Sequence, residues 1–372
     1  MLIPTPYAMD IGDRSMKIAQ LVPQPRWRAG SATPRMRFLI ERDLEEGWVT
    51  RGTIVDPVPF AAFIRRAIHE RIPSLLRSPF IVAALPEQRT FCTTVTIPDR
   101  TEAAREATLR RTINAALPLD AQHATMASAP LLGTTDHVAV AAAPTALVES
   151  YAALFDRVRL TPIALVTEAE ALAHAIAYAC DRVNQTTRNS PLGTRPSPQP
   201  VLILDLGATR TGAIIANGPS VAASITIPVS GAQLTAAIAA KLRIEPTAAE
   251  RAKLGADLAR ASRDDPMAST IVQALEPLVT GIASLRAFAL HHLPAPLQPT
   301  RIVLAGGGAR LAGLDVFLRT RCKLDVTTFA LPANTAPMVP GRPTTPTSHL
   351  ALVFGLGLMA LDPAGAVLNN TL

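Results

Sequence analysis

A short phrase that occurs twice constrains this chain more than any other feature. Asp10-Ile11-Gly12 closes a strand-like run near the N-terminus, and Asp205-Leu206-Gly207 closes Val201-Leu202-Ile203-Leu204. The first copy continues as Asp13-Arg14-Ser15-Met16-Lys17, the second as Ala208-Thr209-Arg210-Thr211. An apolar strand ending in Asp-apolar-Gly and turning back through Ser or Thr predicts a β-hairpin that offers backbone N–H groups and hydroxyls to a phosphate. Two such hairpins facing each other would clamp a nucleotide polyphosphate, with Asp10 and Asp205 placed to hold a cation.

The 372 residues leave room for about two domains. A composition of 48% hydrophobic and 17% charged residues predicts a globular chain with ample core. The dense apolar run from Leu350 to Leu361 is short of the ~20 residues that span a bilayer. The N-terminus reaches Asp10 too soon for a signal peptide, so a cytosolic protein is expected. Cys92, Cys180 and Cys322 are scattered, which suits reduced thiols and argues against a structural zinc site. The net charge is +7, but Arg26, Arg28, Arg35 and Arg37 form only a loose group in a loop-like segment, so no specific nucleic-acid partner is expected.

The spacing of Phe60, Phe63, Ile64, Ala67, Ile68 and Ile72 predicts a helix over 56–72, followed by a buried strand at 80–85. A strand–helix–strand–helix unit at 87–159 reads as an insertion, with strands at 91–97 and 138–142 and helices at 101–116 and 145–157. A strand at 161–166 and a helix from Glu168 to Val183 precede a linker at 185–200 that is rich in Thr, Asn, Ser and Pro. The second half predicts helices at 231–242, 247–261 and 266–292, then a strand, Arg301 to Ala305, running into Gly306-Gly307-Gly308. A Pro/Thr-rich loop at 332–347 and a helix at 348–361 close the chain.

Several of these residues carry two readings. The three glycines could let an adenine or ribose pass over the turn, or could simply make a tight βα turn. Asp10 and Asp205 could face Mg²⁺ through water, or serve as turn formers. Lys17 is either a point charge for a phosphate or a solvated surface lysine. Glu168 and Glu170 begin a helix, where the dipole alone favours acids, though either could position a water. Glu250 and Lys253 are spaced as an i,i+3 helix pair, and His291-His292 reads as a helix end.

The ordered set of phrases resembles the PilM-like type IV pilus assembly proteins, members of the actin-like ATPase superfamily that includes actin, hexokinase and FtsA. The residues that carry this are 10–17, Gly52-Thr53-Ile54-Val55-Asp56-Pro57, 205–209, 227–235, Ala249-Glu250-Arg251-Ala252-Lys253 and 304–314. The resemblance implies an α/β, actin-like two-domain fold with two ribonuclease-H-like cores and a small α+β subdomain inserted in the first. Residues 1–86 with 160–198 and 346–372 would form the first domain, 87–159 the insertion and 199–345 the second domain. ATP and Mg²⁺ are the implied cofactors. Asp10, Gly12, Asp13, Arg14, Ser15 and Lys17 would form one phosphate loop, and Asp205, Gly207, Ala208, Thr209 and Thr211 the other. Gly231, Glu250, Lys253, Gly306, Gly307, Gly308 and Arg310 would surround the nucleoside. Asp10 and Asp205 would hold the metal, and with Glu168 would serve any hydrolysis.

The implied partner is the N-terminal tail of a PilN-like inner-membrane protein, received by the insertion and the adjoining first domain. A pilus or secretion ATPase and self-assembly are further implied contacts, and the chain would lie at the inner membrane through its partner, in a pilus or type II secretion machine. The sequence departs from the family pattern at Asp13, where a small hydroxyl residue is usual, and at Ser230, where a second Gly is common. Both departures bear on nucleotide affinity and turnover. They leave open a nucleotide-free scaffold; a sugar or metabolite kinase of the same fold is a further alternative.

Overall fold

The computed structural model describes residues 4–23, 34–74, 77–97, 107–108, 111, 114–115, 121–186, 199–260, 265–332, 335 and 347–362. The first half runs β1 (Tyr7–Ile11), β2 (Ser15–Val22), β3 (Arg35–Asp43), β4 (Val49–Thr50), β5 (Thr53–Ile54), α1 (Pro57–Arg71), β6 (Phe80–Leu85), β7 (Phe91–Thr96), β8 (Ala124–Pro130), β9 (His137–Pro144), α2 (Thr145–Val158), β10 (Thr161–Thr167) and α3 (Glu168–Thr186). The second half runs β11 (Val201–Leu206), β12 (Thr211–Asn217), β13 (Ser220–Ile227), α4 (Gly231–Leu242), α5 (Pro246–Gly255), α6 (Pro266–His292), β14 (Arg301–Ala305), α7 (Leu314–Cys322), β15 (Asp325–Thr328) and α8 (Ala351–Leu361).

The repeated phrase unfolds into a repeated topology. One five-stranded sheet has the order β3-β2-β1-β6-β10 and the other β13-β12-β11-β14-β15, so each half builds the same 3-2-1-4-5 arrangement of its own sheet strands. In both, the first two strands form an antiparallel hairpin and the last two run parallel to the first. The central strands β1 and β11 are covered on both faces and therefore read as continuous apolar runs.

Helices α3 and α8 lie between the sheets. Their Ala171, Leu172, Ala175, Val353, Phe354 and Leu356 share one core with Ala8 and Val82 of the first sheet and Ile203 and Ile214 of the second. Close approach is required there: a Cβ on Gly355 of α8 would stand 1.8 Å from the Ala171 carbonyl oxygen of α3. Helix α6 is long and apolar enough to cross a membrane by length and composition. Its Ile271, Leu275, Leu278, Ile282 and Leu285 are instead packed into the second sheet's core, at alternating three- and four-residue spacing. Asp265 caps it, accepting from the Met267 and Ala268 N–H groups.

Several expectations are corrected. Arg35 and Arg37 lie on a strand, β3, where Met36 and Ile40 alternate inward and Arg37 donates to Gln20 Oε1. The insertion contains a further strand, β8, whose Ala, Ser and Pro residues give little alternation, and its sheet is ordered β7-β9-β8. Helix α2 packs on α1, and its Leu154 and Phe155 join the first sheet's core, while the helix also contacts β8 and β9 of the small sheet. Helix α5 stops at Gly255 because Asp257 then bridges to Ala312. Most of the helix expected at 101–116, the linker core at 187–198 and most of the loop at 332–347 lie outside the described residues.

Candidate functional site

The two hairpin turns close alike. The Gly12 N–H donates to the Ser15 carbonyl at 3.0 Å, and the Gly207 N–H donates to the Arg210 carbonyl at 2.8 Å. The strands behind them differ in one respect. Opposite Asp10 stands Lys17, whose Nζ donates to Asp10 Oδ2 at 3.1 Å with both side chains nearly buried. Opposite Asp205 stands Gly212, and the space above it is taken by Glu87. Burial pulls Lys17 down, but Asp10, Glu41 and Asp205 more than offset this and leave its pKa raised. Lys17 thus neutralises Asp10 across the strands instead of reaching toward the solvent.

Arg210 ion-pairs with the Glu168 carboxylate and lies in the field of Asp205. Burial pushes Glu168 up to about 7; Arg210 opposes this, while Asp10 and Asp205 add to it. Burial likewise raises Asp205, against Arg210 and Lys17 and with Asp10. The three expected catalytic carboxylates therefore share one field, and two internal cations already compensate it. Among the described residues no group of three His, Cys, Asp or Glu has metal-ligand geometry. A Mg²⁺ brought in on phosphates would need one or two carboxylates, and Asp10 and Asp205 would hold it only in competition with Lys17 and Arg210.

A cavity of about 680 Å³ opens between the second hairpin, α4, α5 and the glycine turn. Its walls include Gly207, Ala208, Thr211, Gly231, Glu250, Lys253, Gly307, Gly308 and Arg310, with Arg14 at the rim. Lys253 donates to Glu250 Oε2 at 2.7 Å, to Thr235 Oγ1 at 2.9 Å and to the Gly231 carbonyl at 3.0 Å, which ties α5 to the start of α4. Partial burial would raise Glu250, but the hydrogen bonds from Lys253 and Thr235 win and leave it lowered. Ser230 caps α4 by accepting from the Gln233 N–H.

The glycines divide by role. Gly306 has φ +80°, and a Cβ there would stand 2.5 Å from Asp205 Oδ1; one on Gly308 would stand 2.7 Å from Leu206 Cβ. These two let the turn press against the end of β11. Gly307 has nothing within 4 Å of a Cβ and faces the cavity. The Thr211 hydroxyl is buried and donates to the Val229 carbonyl. Gly12, Asp13, Ser15 and Lys17 lie outside this cavity.

Arg210 and Glu87 carry no signal in the sequence, since their partners come from the other half of the chain. Glu87 is buried with Oε2 unpartnered, and burial raises it to about 6 against a hydrogen bond with Ser224. Its folded pKa exceeds its unfolded value near 4.5, so the stability it lends is present below that value and lost as pH rises through about 6. Glu87→Gln is expected to flatten this part of the pH dependence and to raise stability at pH 8, relative to pH 4.5, by about 2 kcal/mol. Urea unfolding of both proteins across this range measures the difference.

The family model for type IV pilus assembly protein PilM matches residues 8–344. The chain belongs to the PilM family. It is similar, at 20% identity and a TM-score of 0.75, to a solved structure described as the PilM–PilN type IV pilus biogenesis complex, over 96% of this chain and 99% of that one. It is also similar to MreB5 of Spiroplasma citri bound to AMPPNP, at 14% identity, a TM-score of 0.55 and 98% coverage of both chains. These likenesses show an actin-like fold. A comparison with curated proteins finds no match.

Proposed function

We propose that this PilM-family chain is a nucleotide-binding component of a pilus or secretion assembly platform, held at the inner membrane by the cytoplasmic tail of a PilN-like protein. The observation that carries the nucleotide reading is the cavity behind the second hairpin. Its volume suits a nucleoside, Gly307 leaves one wall free for a flat ring, and Arg310 supplies positive charge to the lining that Gly207 and Ala208 share. ATP or ADP with Mg²⁺ is the proposed ligand, and the nucleotide-bound MreB5 structure of the same fold supports it.

Rapid turnover is not expected. The Glu168 carboxylate, which would have to orient a water, is held by Arg210. The proposed tail site is an apolar groove of about 340 Å³ between β8, β9 and β10, walled by Met126, Ala127, Ala142, Ile163 and Leu165. β8 and β10 are end strands of their sheets among the described residues, so an extended peptide could pair with either.

The test is calorimetric titration of Mg-ATP and Mg-ADP into the wild type and Gly307→Val, followed by a synthetic PilN-like tail with and without nucleotide. A Cβ at Gly307 has nothing within 4 Å and projects into the cavity, so a valine there should lower nucleotide affinity at least tenfold with little change in Tm. Undiminished binding would put the nucleotide elsewhere, and a tail affinity indifferent to nucleotide would sever the two sites.

A further inference from the structure

The feature left unused by the nucleotide reading is Asp13. It sits in the turn of the first hairpin, and each carboxylate oxygen accepts one hydrogen bond. Oδ1 accepts from the Gly52 N–H at 2.8 Å, and Oδ2 accepts from the Thr209 hydroxyl, in the opposite hairpin, at 2.9 Å. The Gly52 donor is built in place: φ is +72°, a Cβ would stand 2.3 Å from Pro86 Cβ, and the Gly52 carbonyl accepts from the Tyr151 hydroxyl at 3.1 Å. A backbone N–H and a threonine hydroxyl are the donors a terminal phosphate would seek between two facing turns.

We propose that Asp13 takes the place of a third phosphate, so that the cleft holds a nucleoside diphosphate in preference to the triphosphate. This rests on the nucleotide reading above. Arg14 borders both the nucleoside cavity and a second cavity of about 550 Å³, which is lined by Asp13, Asp43, Glu46, Arg51 and Thr209. A phosphate chain leaving the first cavity past Arg14 would thus reach the Asp13–Thr209 bridge. There it meets a carboxylate that already holds both donors, in a cavity whose lining adds Asp43 and Glu46 against Arg51. Two phosphates can stop at Gly207, Ala208 and Arg14; a third must break the bridge and stand beside like charge. The same bridge joins the two hairpins, and so the two sheets, with no third phosphate between them.

The experiment is titration of Mg-ADP and Mg-ATP into the wild type, Asp13→Ser and Asp13→Asn. The wild type should bind ADP at least tenfold more tightly than ATP. Asp13→Ser should bring ATP level with ADP or below it in Kd while changing ADP affinity less than threefold. Asp13→Asn, which keeps the shape and removes the charge, should fall between. ATP as tight as ADP in the wild type, or one ratio in all three proteins, would overturn the inference and leave nucleotide binding standing. No binding of either nucleotide to any of the three would overturn both readings.

Discussion

Gly355→Ala is expected to cause the largest loss of stability of any Gly→Ala change among the described residues. The added carbon would stand 1.8 Å from the Ala171 carbonyl oxygen and 2.6 Å from its carbon, both backbone atoms of α3. No rotamer change relieves such a clash, so α3 and α8 must separate. That pair fills the layer between the two sheets, where Ala171, Ala175, Val353 and Phe354 join residues of both halves in one core. Overpacking of a core costs about 1–3 kcal/mol and more where backbone is struck. A loss of about 3 kcal/mol corresponds to a fall in Tm of about 6–12 °C. Gly255→Ala is the control: nothing lies within 4 Å of a Cβ there, and the change should be neutral or slightly stabilising. Thermal unfolding of the two variants decides the matter, and equal Tm values would refute the close approach of the helices.

Arg210→Ala should be the most damaging substitution in the cleft, and the damage should depend on pH. The guanidinium pairs with Glu168, its side chain only 14% exposed, and lies in the field of Asp205 and Glu87. Burial already holds the Glu168 carboxyl up near 7 with the cation present. Without it, three buried acids lose their shared partner, a loss of about 3–5 kcal/mol for a broken buried pair. The acids' folded pKa values then rise further above their unfolded ones, so the folded state holds protons more tightly. The deficit is therefore greatest above pH 7 and shrinks as the pH falls toward 5 and the carboxyls become neutral. Chemical unfolding at pH 8 and pH 5 measures it. The double variant with Glu168→Gln should recover much of the loss at pH 8, as a coupled pair requires. An equal deficit at both pH values would mean that Arg210 contributes packing and not charge.

Much of the fold was legible in the chain because it rests on local patterns. The Asp-apolar-Gly phrase marks each hairpin through a turn whose hydrogen bond spans three residues, and the same bond is found at Gly12 and Gly207. The glycine run after Arg301 to Ala305 marks the turn that presses on β11. Helix α6 was legible from its spacing, as was the i,i+3 pair of Glu250 and Lys253. Strand β8 was not, since six small or polar residues around a single Met126 show no alternation and so carry no face.

The chemistry of the cleft was decided by tertiary structure alone. Asp13 reaches Thr209 across 196 positions of sequence, and Arg210 reaches Glu168 across 42. Neither partner is marked by periodicity or by any local spacing. Lys17 could be given a position on a returning strand from the sequence, but whether it points at Asp10 or at a ligand depends on register and burial. The sequence by itself determined two hairpins and a glycine turn, because backbone hydrogen bonding and apolar periodicity act over a few residues; that two sheets share one topology was implied there only by the family resemblance and is seen in the strand order. Which charges those elements bring together, and which are left to meet a ligand, was settled only when the two halves closed on each other and the buried charges had to be neutralised.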